Sequence, residues 1–230
     1  MEDIVIIIPA YNPDEELVRL VEELNRRKFS KIVVINDGSK LECNKYFDLI
    51  KDKCYLLKNN ENKGKGNALK KGFNFLRKQD CDFKAVVTVD ADGQHCVEDV
   101  NNIANKLREN SKNGNEKIIL GSRNFYQKKI PIKNKIGNRI GAYIFRKTKK
   151  MQISDTQSGL RGIPLKYLKD FENIQGERYE YEQNCLNYIA YNHIPYEEVF
   201  IKTIYKEKQK SSFRIIKDTY RVIRAFLNLN

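Results

Sequence analysis

No stretch of the sequence approaches 18 consecutive apolar residues, so no membrane-spanning helix is expected. The N-terminus lacks a basic segment followed by a long apolar one, so no secretory signal is expected either. Five cysteines occur, Cys43, Cys54, Cys81, Cys96 and Cys185, an odd number with no CxxC pair. That argues against a zinc knuckle or a disulfide framework and points to free thiols in a reducing compartment. The most telling absence is of negative charge. From Lys117 to Ser154 there are 11 Lys or Arg residues and no Asp or Glu.

The formal net charge is +13, and it is unevenly placed. Residues 1–115 hold 20 basic and 19 acidic residues, whereas residues 116–230 hold 23 and 11. A basic field confined to one half attracts phosphates, nucleic acid or an anionic membrane surface. The basic run is not interleaved with aromatics as a single-strand-binding platform would be, so nucleic acid is not an expected partner. The chain has 230 residues, 40% of them hydrophobic, enough for one domain with a real core.

Apolar residues set the expected elements. Ile4–Ile8, Ile32–Ile35 and Ala85–Val89 are short continuous apolar runs, as in strands covered on both faces. A further short strand is expected at Tyr55–Leu57, another at Lys117–Leu120, and an alternating edge strand at Tyr196–Tyr205. Helical spacing recurs at Leu17, Leu20, Val21 and Leu24, and helices are expected around Cys43–Lys51, Asn67–Gln79, Val97–Arg108, Ile136–Phe145 and Gly176–Tyr191. Asp155–Gly162 reads as a turn. Alternating β and α imply an α/β fold, a mostly parallel sheet with helices on both faces. Residues 1–212 would form this domain. Residues 213–230 would add a basic amphipathic helix with Ile216, Tyr220, Ile223 and Leu227 on its apolar side, suited to a membrane surface or to ordinary packing.

Three polar clusters follow the three apolar runs: Pro9–Asn12, Asn36–Ser39 and Asp90–Gln94. Ligands of open parallel sheets sit at these carboxyl ends. Asp90 and Asp92 alternate along an extended chain, so they point the same way. Two such carboxylates are costly to hold together without a cation, and hard oxygen ligands suit Mg²⁺ or Mn²⁺. Gln94 or His95 could complete that shell. Asp37 could accept from a ribose hydroxyl or a base edge, or could cap the helix that follows, as could Ser39. Lys63-Gly64-Lys65-Gly66 precedes a helix and suits a phosphate approach.

Taken together, Pro9-Ala10-Tyr11-Asn12, Asn36-Asp37-Gly38-Ser39, Lys63-Gly64-Lys65-Gly66-Asn67-Ala68, Asp90-Ala91-Asp92-Gly93-Gln94-His95 and Gly121-Ser122-Arg123 resemble family 2 glycosyltransferases in order and spacing. Asp155–Arg161, Glu180-Tyr181-Glu182 and Ser211-Ser212-Phe213 continue the resemblance. It is strongest to the dolichyl-phosphate mannose synthases and bacterial polyprenyl-phosphate sugar transferases.

The resemblance implies a GT-A, Rossmann-like fold. It also implies inverting transfer of a hexose from a UDP- or GDP-linked donor to a polyprenyl phosphate, or alternatively to a glycan hydroxyl. It places Pro9, Tyr11, Asn12, Asp37, Lys65, Asp90 and Ala91 against the nucleotide-sugar, and Asp90, Asp92 and Gln94 around the metal. Arg123, Lys133 and Arg139 would hold the acceptor phosphate. Asp92 and Arg123 would act in catalysis, with Asp155 as the base if the acceptor is a hydroxyl, or else as the residue that orders the following turn and Arg161. The implied setting is the cytoplasmic face of a membrane, with room for a membrane-protein partner.

The chain departs from the family pattern at three points. Asn36 replaces an acidic residue, Pro13 follows Asn12 where the family often has Glu, and Lys133 stands where an arginine is usual. A lysine gives a point charge rather than a bidentate fork.

Overall fold

A computed structural model describes residues 3–79, 82–123, 138, 142–143 and 145–202. Seven strands form one sheet: β1 (Ile4–Ala10), β2 (Ile32–Asp37), β3 (Tyr55–Asn59), β4 (Ala85–Thr88), β5 (Ile118–Arg123), β6 (Arg161–Pro164) and β7 (Tyr196–Ile201). Their order across the sheet is β3-β2-β1-β4-β6-β5-β7. All neighbours run parallel except β6, which is antiparallel to both β4 and β5. The expected mostly parallel α/β sheet is therefore present, and β7 lies at an edge as its alternation predicts.

Helices cover both faces because the central strands offer apolar side chains to both. Ile4, Ile6 and Ile8 pack with α1 (Glu15–Arg26), α2 (Asn44–Asp48) and α4 (Val97–Lys112). Val5 and Ile7 point the other way, onto α3 (Lys65–Lys78), α5 (Leu168–Asn173) and α6 (Glu180–Tyr191). This is the period-2 alternation of a strand serving two cores. Each isoleucine or leucine so buried stabilises the fold by about 1.5–3 kcal/mol before entropy is counted. On α1 the buried stripe is the one the spacing predicts, and Asp14 caps it by accepting the Glu16 amide hydrogen.

Three elements depart from expectation. The Asp155–Gly162 turn runs into β6, which begins at Arg161, and α5 has no counterpart among the expected helices. Arg-Gly-Ile-Pro has little intrinsic strand preference. It is a strand because β4 and β5 present free ladders on either side, with Ala85 opposite Pro164 and Leu120 opposite Arg161. The expected helix at Gly176–Tyr191 starts later, at Glu180.

The described cysteines, Cys43, Cys54, Cys96 and Cys185, are all free. Burial pushes the Cys54 thiol up to about 11 and the Cys185 thiol up to about 12, so neither is a ready nucleophile. No helix among the described residues is long and apolar enough to cross a membrane. The basic C-terminal segment 213–230, its boundary with the preceding domain, Lys133 and Arg139 lie outside the described residues.

Candidate active site

The chain goes from β1 outward to β2 and β3, then returns to add β4 on the other side of β1. The direction of sheet growth thus reverses at β1, and a crevice opens at the carboxyl ends there. A cavity of about 510 Å³ occupies it. All three polar clusters reach this cavity. Pro9, Tyr11 and Asn12 line it from the end of β1, Asp37 from β2, and Asp90, Ala91, Asp92 and Gln94 from the segment after β4.

The β1 and β2 ends are locked to each other. Asn12 takes a left-handed backbone, φ 49°. Its amide donates to Ser39 Oγ at 2.9 Å, and its own Oδ1 accepts from the Lys40 amide at 2.9 Å. Asn36 Oδ1 accepts from the Ser39 amide, also at 2.9 Å. Asn36, where the family usually has an acid, thus closes its own turn.

Asp37 is buried and serves the polypeptide first. It accepts from Asn59 Nδ2 at 2.7 Å, from the Lys63 amide at 3.1 Å and from the Gly64 amide at 2.7 Å. The helix-cap alternative needs correction. Asp37 does not cap the helical turn that follows β2, where Lys40 is the cap residue and no side chain contributes. It holds the loop leading into α3 instead. Gly64 makes that loop possible: its φ of 109° is open to glycine, and a Cβ there would meet Arg178.

Lys65 is the first residue of α3, and its ammonium is the hub of the site. It lies 2.6 Å from Asp90 Oδ1 and 2.9 Å from Glu182 Oε2, with its side chain only 16% exposed. Burial alone would lower the Lys65 ammonium, but Asp90 and Glu182 outweigh it and hold it above its ordinary value. Burial likewise opposes ionisation of Asp90, yet Lys65 and then His95 hold it well below the usual carboxylate range. His95 Nε2 stands 3.7 Å from Asp90 Oδ2, and its buried Nδ1 has no partner among the described residues. Asp92 is different: burial and then the Asp90 charge raise it.

That asymmetry answers whether a cation fits. Asp90 already has a counter-charge in Lys65, whereas at Asp92 burial and the Asp90 charge outweigh the Gln94 amide, His95 and Lys65. Among the described residues no group of three or more His, Cys, Asp or Glu side chains is placed to hold an ion. A two-carboxylate site facing a roomy cavity suits Mg²⁺, which usually takes one or two carboxylates and completes its shell with water and substrate phosphates. Gln94 donates its amide hydrogen to Asp92 Oδ1 at 3.0 Å and lines the same cavity. The residues fit the ion.

Gly159 packs closely against this cluster. A Cβ on it would stand 2.6 Å from Lys65 Nζ, 2.7 Å from Asp90 Oδ2 and 2.8 Å from Glu182 Oε1. Thr88 Oγ1 at the end of β4 donates to the Gly159 carbonyl at 2.8 Å and fixes the approach. Gly159→Ala is expected to push the three charged groups apart and to cut turnover at least tenfold. Steady-state rates with saturating donor check this, and an unchanged rate would remove Gly159 from the site.

Arg123, at the end of β5, grips Asp155. Its Nε donates to Oδ2 at 2.6 Å, its Nη2 to Oδ1 at 2.9 Å, and its backbone amide to Oδ2 at 3.1 Å. Asp155 Oδ1 also accepts from the Gln157 amide at 2.9 Å, and the Asp155 side chain has no exposed surface. A carboxylate with both oxygens engaged and no access is not placed to take a proton from an acceptor. This geometry favours the positioning role expected for Asp155 over that of a base. Asp155 orders the turn at Gln157, as expected, but its arginine is Arg123. Arg161 instead donates to the carbonyls of Ser158 and Glu182. Asn138 ties the preceding segment to the same turn, donating to the Ser154 carbonyl at 2.7 Å and accepting from the Thr156 amide at 2.9 Å.

Several residues of the site carry no local signal. Asn62, Arg178 and Tyr179 line the cavity, and Glu182 was legible only as part of a motif with no assigned role. Arg178 meets Asn62 across 116 positions of sequence.

A sheet that reverses at β1, with paired carboxylates at one strand end and a lysine-headed helix beside them, is an α/β arrangement of the GT-A type. Residues 5–172 match the model of Glycosyl transferase family 2, and the chain belongs to that family and is a glycosyltransferase. It is 30% identical over 223 residues to a UDP-N-acetylglucosamine–dolichyl-phosphate N-acetylglucosaminyltransferase of Methanococcus voltae, covering 89% of this chain and 86% of that one. To a dolichyl-phosphate beta-glucosyltransferase of Dictyostelium discoideum it is 28% identical over 248 residues, covering 96% and 74%. Among solved structures, its fold is similar to glucosyl-3-phosphoglycerate synthase of Mycobacterium tuberculosis, solved with Mg²⁺ and uridine diphosphate. The TM-score there is 0.71 at 12% identity, covering 99% of this chain and 79% of that one.

Proposed function

We propose that this glycosyltransferase moves a sugar from a UDP- or GDP-linked donor to a polyprenyl phosphate, with inversion at the anomeric carbon. The observation that carries the reading is the cavity at the β1–β4 reversal, with Asp90, Asp92 and Lys65 together on its wall. The names of the relatives, both dolichyl-phosphate sugar transferases, support the acceptor class.

Asp90, Asp92 and Gln94 would hold Mg²⁺ or Mn²⁺, which when bound supplies positive charge against the departing nucleoside diphosphate. Lys65 keeps Asp90 ionised and aimed into the cavity, and Glu182 keeps Lys65 in place. Pro9, Tyr11, Asn12 and Ala91 shape the donor pocket, and Asp37 holds the loop beside it. Arg123, fixed by Asp155, would meet the acceptor phosphate together with Lys133 and Arg139.

A phosphate monoester arrives ionised and needs little help from a base. Asp155 is committed to Arg123 and Glu182 to Lys65, which favours such an acceptor over a glycan hydroxyl. The basic second half of the chain suits peripheral contact with an anionic membrane surface, at the cytoplasmic face and with or without a membrane-protein partner.

The test pairs a thermal-shift panel with an acceptor comparison. With Mg²⁺ or Mn²⁺ present, the right nucleotide-sugar at a hundred times its Kd should add about 2.7 kcal/mol to stability. Transfer should then occur to a polyprenyl phosphate and vanish when the same lipid is dephosphorylated. Transfer that survives dephosphorylation would move the acceptor to a hydroxyl. No shift with any UDP-, GDP- or dTDP-sugar would sink the donor assignment.

A further inference from the structure

Two cationic side chains line the donor cavity among the described residues, and their situations are opposite. Lys65 is held between two carboxylates. The Arg178 guanidinium has no carboxylate partner among the described residues. Its Nη1 donates to Asn62 Oδ1 at 3.1 Å and its Nη2 to the Asn62 carbonyl at 3.5 Å. Its stem lies against Gly64, where an added Cβ would come within 2.5 Å of Arg178 Cγ. Gly64 in turn is tied to Asp37 at the end of β2.

Position says which part of a donor lies there. Asp90 and Asp92 follow β4, and β2 lies on the far side of β1 from β4. A donor whose diphosphate lay at the β4 end would extend along the cavity wall toward Asp37, Asn62 and Arg178, which line the same cavity. Chemistry says which bases suit it. The Asn62 side-chain oxygen is occupied by Arg178, while its amide nitrogen donates to nothing among the described residues. The guanidinium has only donors to offer. The Arg178–Asn62 pair therefore presents N–H groups and no acceptor to this corner of the cavity.

Resting on the donor site proposed above, we infer that Arg178, braced by Asn62, selects nucleotides whose base presents a keto edge. Uracil and thymine offer O4, and guanine offers O6, all acceptors. Cytosine and adenine place an amino group at the corresponding position, so donor would face donor. A donor that faces another donor forfeits its hydrogen bond, which makes such a site reject the wrong base as well as favour the right one.

The pairs UDP against CDP and GDP against ADP change the keto group to an amino group, and calorimetric titration with Mg²⁺ present reads the difference. The wild type should bind UDP over CDP, or GDP over ADP, by roughly tenfold or more, the usual scale of discrimination by a bidentate contact. Arg178→Met keeps the stem against Gly64 and should collapse that ratio toward one. Arg178→Lys keeps the charge but not the fork, and should fail to restore the ratio.

The inference is overturned if the wild type binds both members of each pair equally. It is also overturned if Arg178→Met weakens both members together and Arg178→Lys restores both, because that marks a phosphate contact. If no nucleoside diphosphate binds the wild type, the donor site itself falls, and the inference with it. A variant that loses its cooperative thermal transition is replaced by Asn62→Ala. This change removes the brace and should lower the same ratio, and an unchanged ratio there overturns the inference too.

Discussion

Asp92→Ala is expected to lower sugar transfer by about a thousandfold and to leave the thermal midpoint equal to the wild type or above it. Loss of activity with no loss of stability follows from the asymmetry between the two aspartates. Asp92 is raised by burial and by the Asp90 charge, so the ligand-free protein holds it at a cost. Removing it relieves a like-charge contact. Asp90→Ala should behave otherwise, because it strips a buried lysine of one of its two counter-ions and destabilises the fold. Two measurements separate the cases: donor affinity titrated with and without Mg²⁺, and thermal unfolding of the ligand-free variants. In Asp92→Ala the metal should no longer strengthen donor binding. A variant that still shows metal-dependent binding and full turnover would reject the metal assignment.

Much of this site is legible in the amino-acid sequence. The apolar runs Ile4–Ile8, Ile32–Ile35 and Ala85–Val89 fall on β1, β2 and β4, and each of the polar clusters beyond them reaches one cavity. Hydrophobic periodicity is local, and so it reads well. What was illegible depends on distant chain segments. Arg161–Pro164 has the composition of a turn, and only the open ladders of β4 and β5 make it a strand. Arg178 and Glu182 enter the site because the start of α6 packs on the start of α3. There the Glu177 carbonyl accepts from the Asn67 amide at 2.9 Å. No spacing rule reaches across such a gap. The roles of Asp37 and Asp155 were ambiguous for a related reason. A carboxylate at a strand end can face a ligand or serve its own backbone, and partners from remote loops decide how far it does the second.

Asp155→Asn is expected to cost about 3–5 kcal/mol of stability, the usual penalty for breaking one side of a buried ion pair. For a chain of this size that lowers the thermal midpoint by on the order of 10 °C. The asparagine nearly matches the carboxylate in shape, but it would leave the Arg123 guanidinium uncompensated and turn an amide donor toward another donor. Activity should fall as well, and the manner of its fall separates positioning from base catalysis. Loss of a base would remove a limb of the pH–rate profile. Loss of a positioning residue should leave the profile's shape unchanged and raise the KM for the lipid phosphate more than that for the donor. The double variant Arg123→Met/Asp155→Leu sharpens the test. Replacing a buried pair by apolar residues of similar volume is often neutral for stability, so most of the lost stability should return. Use of the phosphate acceptor should not return, because the cation proposed to meet it is gone. If the double variant transfers sugar to the lipid phosphate at the wild-type KM, Arg123 has no part in holding the acceptor, and the buried pair is there for the fold alone.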